Sequence, residues 1–221
     1  MYAFRWERWS ALTGVLFVAF FMVGVALSAN KDKSSALQSY YAEHNNRVKE
    51  IVAFFFIVAA GLAFLSFVGT LRAAVMRAEG GPGTLSGLIF GPGLVFVSLV
   101  MVGNAISRGP AAVAGESGFK LDANTAEVFN DAGYLCIVAG VMVASILVIA
   151  VSTAALRTGA LPSWLGWLGL VVAVAMLFAV FFFPILVFLA WVLVVSLVMV
   201  VAAWRVTGAV PPAATPPTAM G

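Results

Sequence analysis

Long apolar stretches separated by short polar segments dominate this sequence. Six of the stretches approach the roughly 20 residues that a helix needs to cross a bilayer. They lie at about 10–29, 51–71, 85–106, 132–156, 164–182 and 185–204. The pattern predicts an all-α integral membrane protein: a bundle of six transmembrane helices in one domain, residues 1–205. The Pro- and Ala-rich residues 206–221 predict a disordered tail.

The last two predicted spans have no polar loop between them. Pro184 interrupts an apolar run of roughly 40 residues, and proline cannot continue the helical hydrogen-bond ladder. A single helix of that length would measure about 60 Å, twice the thickness of the hydrocarbon layer. We therefore expect a tight hairpin at Pro184.

The orientation in the membrane follows from the arginines that end apolar runs. The positive charges divide equally between the two sides of the six-span scheme, so their number alone does not decide. Arg72, Arg157 and Arg205 each close an apolar run, as cytoplasmic stop-transfer arginines do. This placement predicts that both termini are cytoplasmic and that the loops after spans one and three lie outside.

Composition supports a membrane location and argues against a nucleic-acid partner. Hydrophobic residues make up 63% and charged residues 10% of the 221 positions, against about 25% charged residues in typical soluble domains. The net charge of +3 comes from scattered Lys and Arg, with no basic run that would indicate a nucleic-acid partner. The single cysteine, Cys136, lies in an apolar run and predicts a buried, inert thiol.

The segment "SYYAEHNNRVKE" precedes the second span and predicts an amphipathic helical extension of that span on the outer side. On a helix, Tyr40, His44 and Arg47 share one face. The chain's one histidine, flanked by Glu43, is suited to acid–base chemistry or pH sensing. The simpler interpretation is a solvated helix start with Glu43 and Arg47 as an ordinary surface pair.

The third loop adds acids on the same predicted side. Together with the first loop it gives a candidate functional cap: Tyr40, Glu43, His44, Arg47, Asp122, Glu127 and Asp131, with Glu116 nearby. One histidine, no HExxH and no CxxC make a hydrolytic zinc site unsupported, so we expect neither a metal nor a cofactor.

Within the spans the polar inventory is small. Gly91, Pro92 and Gly93 form a "GPG" sequence in span three that we expect to kink or break the helix, and Asn104 lies near the outer end of that span. No charged residue falls in the middle of a predicted span, which argues against a proton relay. Small residues such as Gly61, Gly140 and Ala144 favour close helix packing.

Four segments, in order, resemble a known group of proteins: "YYAEHNNRVKE", "FLSFVGTLRAAVMRAEGG", "AALRTGALPSWLGWLGLV" and "FPILVFLAWVLVVSL". Across residues 5 to 205 the chain resembles six-span membrane proteins of high-GC actinobacteria that are classified as a domain of unknown function. The resemblance implies a bacterial inner-membrane protein. It supplies no catalytic or ligand-binding residues, and "GPG" is not part of the group's pattern.

Three functions are open at this point. The first is a non-enzymatic scaffold, accessory subunit or sensor of the bacterial inner membrane that contacts lipid and associates with itself or with a membrane-protein partner. The second is a small carrier or channel for an apolar or lipid-like molecule, with the "GPG" region and Asn104 at its wall. The third is an interfacial enzyme that uses His44 with the loop acids. An enzyme needs that histidine and an acid in one pocket, a carrier needs a polar cavity at mid-membrane, and a scaffold needs neither.

Overall fold

The computed structural model describes residues 12–28, 37–81, 83–116, 121–159 and 161–208. Over these ranges the chain forms seven helices and no strand. They are α1 Thr13–Ser28, α2 Leu37–Ala42, α3 His44–Ala78, α4 Thr84–Val113, α5 Ala123–Thr158, α6 Ser163–Met176 and α7 Phe183–Gly208.

Helix length and composition are those of a membrane protein. The helices α3, α4, α5 and the Phe183–Ala202 part of α7 are long and apolar enough to cross a bilayer. With 35, 30 and 36 residues, α3, α4 and α5 measure about 45–54 Å and exceed the roughly 30 Å of hydrocarbon. The helices α1 and α6 are apolar but shorter, with 16 and 14 residues.

The main helices form a closed ring of neighbours. Helix α1 packs on α3, α3 on α4, α4 on α5, α5 on α6, α6 on α7, and α7 returns to α1. Short connections between successive helices explain this order, because a helix joined by a few residues lies beside the helix that precedes it. The short helix α2 lies across one end, between α3 and α5. We call this the cap end, and the other, with the α3–α4 turn, the opposite end.

The second predicted span begins earlier than its apolar run. Helix α3 starts at His44, ahead of the predicted 51–71, so the predicted helical extension is present from that residue. The expectation that Tyr40 shares this helix with His44 and Arg47 is wrong, because Glu43 is extended and Tyr40 lies on the separate helix α2. At the other terminus of the chain, α7 continues to Gly208. Residues 206–208 are therefore helical, against the predicted disordered tail, and the rest of that tail, 209–221, lies outside the described residues.

Of the expected kink or break at Gly91–Gly93, the break is wrong, because α4 runs as one helix through Pro92; the kink stays a prediction. The neighbouring glycine explains how the site is used. A Cβ at Gly93 would lie 2.9 Å from Val68 and 3.1 Å from Leu147, so this glycine allows α3 and α5 to approach α4 closely. Gly93 of the "GPG" sequence therefore serves helix packing, whereas a Cβ at Gly91 would meet nothing within 4 Å.

The predicted fifth span, 164–182, ends too late. Helix α6 stops at Met176, and a turn over residues 177–182 leads into α7, where Pro184 occupies the first helical turn. That position tolerates proline because its missing N–H would have no partner there. Backbone N–H groups of the turn donate to carbonyls three residues earlier in the chain. The Tyr134 hydroxyl donates to the Val180 carbonyl at 3.0 Å. An apolar turn of this kind gives no compositional signal.

Aromatic rings fill the centre of the bundle. Helices α1, α3, α4 and α7 contribute one phenylalanine each: Phe17, Phe64, Phe96 and Phe188. The Phe64 centroid lies 4.7 Å from Phe17, 4.9 Å from Phe96 and 6.0 Å from Phe188. We call these four residues the aromatic centre. Each is at most 2% exposed, so the four rings are buried between the helices that carry them.

Glycine contacts bring α4 and α5 together nearer the cap end. A Cβ at Gly103 would collide with the Gly133 carbonyl oxygen, and a Cβ at Gly133 would meet Ser107 at 2.6 Å. The small residues that the sequence singles out behave similarly: Gly61 contacts Met101 of α4, Gly140 contacts Phe96, and Ala144 is fully buried. These small side chains pack helices within the bundle.

Candidate functional site

A fully buried carboxylate lies at the cap end. Glu50, in the second turn of α3, is 0% exposed. The Tyr40 hydroxyl donates to its Oε1 at 3.0 Å, and the Ser28 hydroxyl donates to its Oε2 at 3.2 Å. The Arg108 Nε atom lies 3.6 Å from the same Oε2 and completes an ion pair. A buried charge is normally retained only where it is paired and hydrogen-bonded in this way.

Arg108 of α4 makes further contacts around the carboxylate. Its Nη2 donates to the Ser28 hydroxyl at 3.1 Å, and its Nη1 donates to the Ser107 hydroxyl at 3.3 Å. The side chain is 11% exposed. We call Ser28, Tyr40, Glu50 and Arg108 the ion-pair cluster. It joins α1, α2, α3 and α4, because each of these helices supplies one of its members.

A second polar contact lies one turn further into the bundle. The Asn104 side-chain amide donates to the Phe54 carbonyl of α3 at 3.2 Å. Asn104 precedes Arg108 by four residues and Phe54 follows Glu50 by four, so the two contacts fix one antiparallel register between α3 and α4. Asn104 is fully buried, and its Oδ1 has no hydrogen-bond partner among the described residues.

The turn between α2 and α3 is held by its own side chains. Arg47 Nη1 donates to the carbonyls of Tyr41 and Ala42, both at 2.9 Å, where α2 ends. The Asn46 amide donates to the Tyr40 carbonyl at 3.2 Å and to the Glu43 carboxylate at 3.0 Å. Arginine and asparagine at these positions cap α2 and thereby place Tyr40 over Glu50.

A small apolar cluster fastens α2 to the rest of the cap end. Its members are Leu37, Tyr41, Ala111, Leu121 and Ala126, each 8% exposed or less. They come from the first loop, the end of α4 and the start of α5. The two loops that the sequence assigns to an outer cap are thus in contact, and the contact is apolar rather than acidic.

The electrostatic environment of Tyr40 follows from its position. Partial burial, and after it the negative charge and hydrogen bond of Glu50, raise the pKa of the Tyr40 hydroxyl above its ordinary value. The hydroxyl therefore stays protonated and keeps donating to Glu50 throughout the physiological pH range.

The candidate residues from the sequence lie mostly in solvent. His44 and Glu43 are exposed, as are Asp122, Glu127 and Asp131. Asp122 is the N-cap of α5, and its carboxylate accepts from the Thr125 N–H at 3.1 Å. In the described part of the chain no hydrogen bond or ion pair joins His44 to a loop acid, and no group of His, Cys, Asp and Glu could hold a metal ion.

The sequence interpretation missed Glu50 and Arg108 as a pair. Neither residue is among the candidates that the sequence singled out. A signal was present in their positions: Glu50 directly precedes the second predicted span, and Arg108 follows the third within two residues. In an antiparallel hairpin those two positions lie at the same level, so opposite charges there can meet.

Arranged this way, the ion-pair cluster can hold four helices in one geometry. Its hydrogen-bonding groups face one another, and Glu50 is fully buried among them with both carboxylate oxygens accepting a hydrogen bond. No protein-family model, curated protein or solved structure matches this chain. Over the residues that the structure describes, the fold and the cluster therefore define the class, an all-helical protein with four membrane-length apolar helices, and the resemblance to the actinobacterial group stays a prediction.

Proposed function

We propose that this is a non-enzymatic multi-pass protein of the bacterial inner membrane, with six spans, that serves as a scaffold, accessory subunit or sensor. The observation that carries the proposal is the filled interior. The aromatic centre occupies the middle of the bundle, and the ion-pair cluster is closed by Tyr40 at the cap end. A closely packed bundle is suited to holding a shape that a partner recognises.

Six spans are supported by how the two short helices pack. Helix α1 lies along α3 and α7, and α6 lies along α5 and α7, so both belong to the bundle. The turn after α6 and the first residue of α7 carry exposed apolar side chains: Leu177, Phe178, Val180, Phe181, Phe182 and Phe183. Such a turn is suited to contact with lipid. Together with the turn, the 14-residue α6 would reach across the hydrocarbon layer.

The carrier alternative has less support. It needs a polar cavity that reaches mid-membrane, and the aromatic centre occupies that level between the described helices. A cavity of about 760 Å³ lies at the opposite end against Glu79 and Arg157. It is lined by helix ends and turns and includes no residue of the aromatic centre.

The enzyme alternative rests on His44 and a loop acid in one pocket. His44 is exposed, and Asp122, one of the loop acids, is engaged in capping α5. Catalytic groups normally converge on a common site that excludes water. The arrangement of these residues gives that alternative no support.

Thiol labelling in sealed vesicles tests the proposal. In a Cys136→Ser background, single cysteines replace His44, Arg157 and Ala144, and a membrane-impermeant maleimide is added from either side. We expect labelling of position 44 from the periplasmic side only, labelling of position 157 from the cytoplasmic side only, and none at position 144. Labelling of position 144 before denaturation would support a water-filled pathway and contradict the proposal, and exchanged sides would overturn the orientation.

A further inference from the structure

A lateral groove opens between α1 and α3 just below the ion-pair cluster. It has a volume of about 310 Å³ and is lined by Phe20, Val52, Phe55, Phe56 and Ala59. The rings of Phe20 and Phe56 lie 5.9 Å apart between centroids and join the two helices along the groove. Phe55 is 64% exposed beside it. The lining is apolar, and four of its five residues belong to α3, a helix of membrane-spanning length, so in a bilayer the groove would face hydrocarbon.

The same face of α3 becomes polar toward the cap end. Asn45, Lys49, Val52, Phe56 and Ala59 follow one another at intervals of three or four residues and share one helical stripe. Asn45 and Lys49 are exposed. The rise from Lys49 to Ala59 is about 15 Å, which matches the hydrocarbon depth of one leaflet.

We propose that this stripe is a binding site for one phospholipid with an anionic headgroup. Its acyl chain lies in the groove beside Ala59, and its phosphate pairs with the Lys49 ammonium. A lysine at the edge of the hydrocarbon extends its charge toward the headgroups while its methylenes stay in contact with the chain. The site goes beyond the proposed role as scaffold, accessory subunit or sensor, and it rests on the membrane location that is part of that proposal.

A lipid fits the groove better than a partner helix. Helices that pack in membranes approach through stripes of small residues, whereas this groove is floored by phenylalanine rings around a single alanine. The cation at its upper end also complements an anionic headgroup, and one basic residue near an anionic surface strengthens binding about fivefold.

Native mass spectrometry of the purified full-length chain tests the site. The protein is offered equal amounts of phosphatidylglycerol and phosphatidylcholine with identical acyl chains. We expect the wild type to retain one phosphatidylglycerol with about a fivefold preference, and Lys49→Gln to retain the two lipids equally. Ala59→Phe, which fills the groove, should lower retention of both.

Two matched controls make the result decisive. Arg77→Gln removes an exposed charge at the opposite end, and Val171→Phe enlarges an exposed side chain outside the groove; both should behave as the wild type. An unchanged preference in Lys49→Gln would overturn the headgroup contact. Equal retention by Ala59→Phe and Val171→Phe would overturn the groove as the chain site, provided that both variants unfold at the wild-type temperature.

Discussion

The ion-pair cluster and the aromatic centre both join several helices, but through contacts of different character. Phe64 packs on the three other rings of the aromatic centre without a preferred partner atom, whereas Glu50 accepts two hydrogen bonds and lies 3.6 Å from Arg108. Packing contacts fall gradually as side chains change, because dispersion is spread over many atoms. A buried charge that loses its partner keeps its full desolvation cost. The centre should therefore tolerate substitutions of similar volume, and the cap end should not tolerate the loss of one charge.

The largest effect should follow removal of one charge from the ion-pair cluster. Arg108→Leu leaves the Glu50 carboxylate buried without its cation, and we expect the free energy of unfolding to fall by about 3–5 kcal/mol. Denaturant titration of the purified protein in mild detergent measures the loss. Arg77→Leu, at an exposed position of α3, is the control and should change little. A small loss in Arg108→Leu would mean that water already reaches Glu50.

Truncation in the aromatic centre should come next. Phe64→Ala leaves a cavity among the rings of three helices and should cost about 3 kcal/mol in the same titration. Phe64→Leu keeps most of the volume and should cost less than about 1.5 kcal/mol. Equal losses for the two variants would show that ring geometry, not volume, determines stability at this position.

The glycine contact between α4 and α5 offers a matched pair of variants on one helix. Gly103→Ala places a Cβ against the Gly133 carbonyl and should cost about 1–3 kcal/mol. Gly87→Ala places a Cβ where nothing lies within 4 Å and should stabilise α4 by about 0.5–1 kcal/mol. Thermal unfolding of the two proteins checks the opposite signs; a shift of the same sign in both would place the α4–α5 contact elsewhere.

Tyr40 should make the stability of the folded protein depend on pH in the alkaline range. Its folded pKa is raised above the unfolded value of about 10, so its contribution to stability is complete below that pH and is lost as the pH rises toward the folded pKa. Tyr40→Phe should lower stability at neutral pH by about 1.5 kcal/mol through the lost hydrogen bond, and should reduce the decline above pH of about 10. Unfolding curves across this range test both; parallel pH profiles would contradict the assignment.

The smallest effect should be at His44. Its side chain is exposed and joined to none of the loop acids that the structure describes, so His44→Ala should leave the unfolding midpoint unchanged between pH 5 and 8. Arg47→Ala is the informative neighbour, because it removes two bonds to the end of α2 and should lower the midpoint. A pH-dependent shift in His44→Ala would restore the histidine as a functional group.

Much of the fold could be predicted from apolar periodicity, because a helix in lipid must be long and apolar. The separation of α6 from α7 near Pro184 followed from this argument, whereas α3 begins ahead of its apolar run, at His44. The end of α6 at Met176 did not, since its turn is as apolar as the helices around it. The sequence did not predict that α4 continues unbroken through Pro92. It also did not show that α3 and α5 pack closely on Gly93, because that contact depends on the tertiary arrangement.

The site was less predictable than the fold. Exposed His44 attracted attention because histidine is chemically versatile, whereas Glu50 resembled any acid at a solvated helix start. Its importance depends on the register of α3 against α4, which places Arg108 at the same level and Asn104 beside Phe54. A single sequence gives the residues at the span ends but not which side chains face inward.

The central claim is that Glu50 and Arg108 act as one structural unit, and a double-mutant cycle tests it most directly. Unfolding free energies are measured for the wild type, Glu50→Leu, Arg108→Leu and the double variant under one set of conditions. The account predicts a coupling energy of about 3 kcal/mol, with the double variant more stable than either single variant. Additive losses, with a coupling energy near zero, would contradict it.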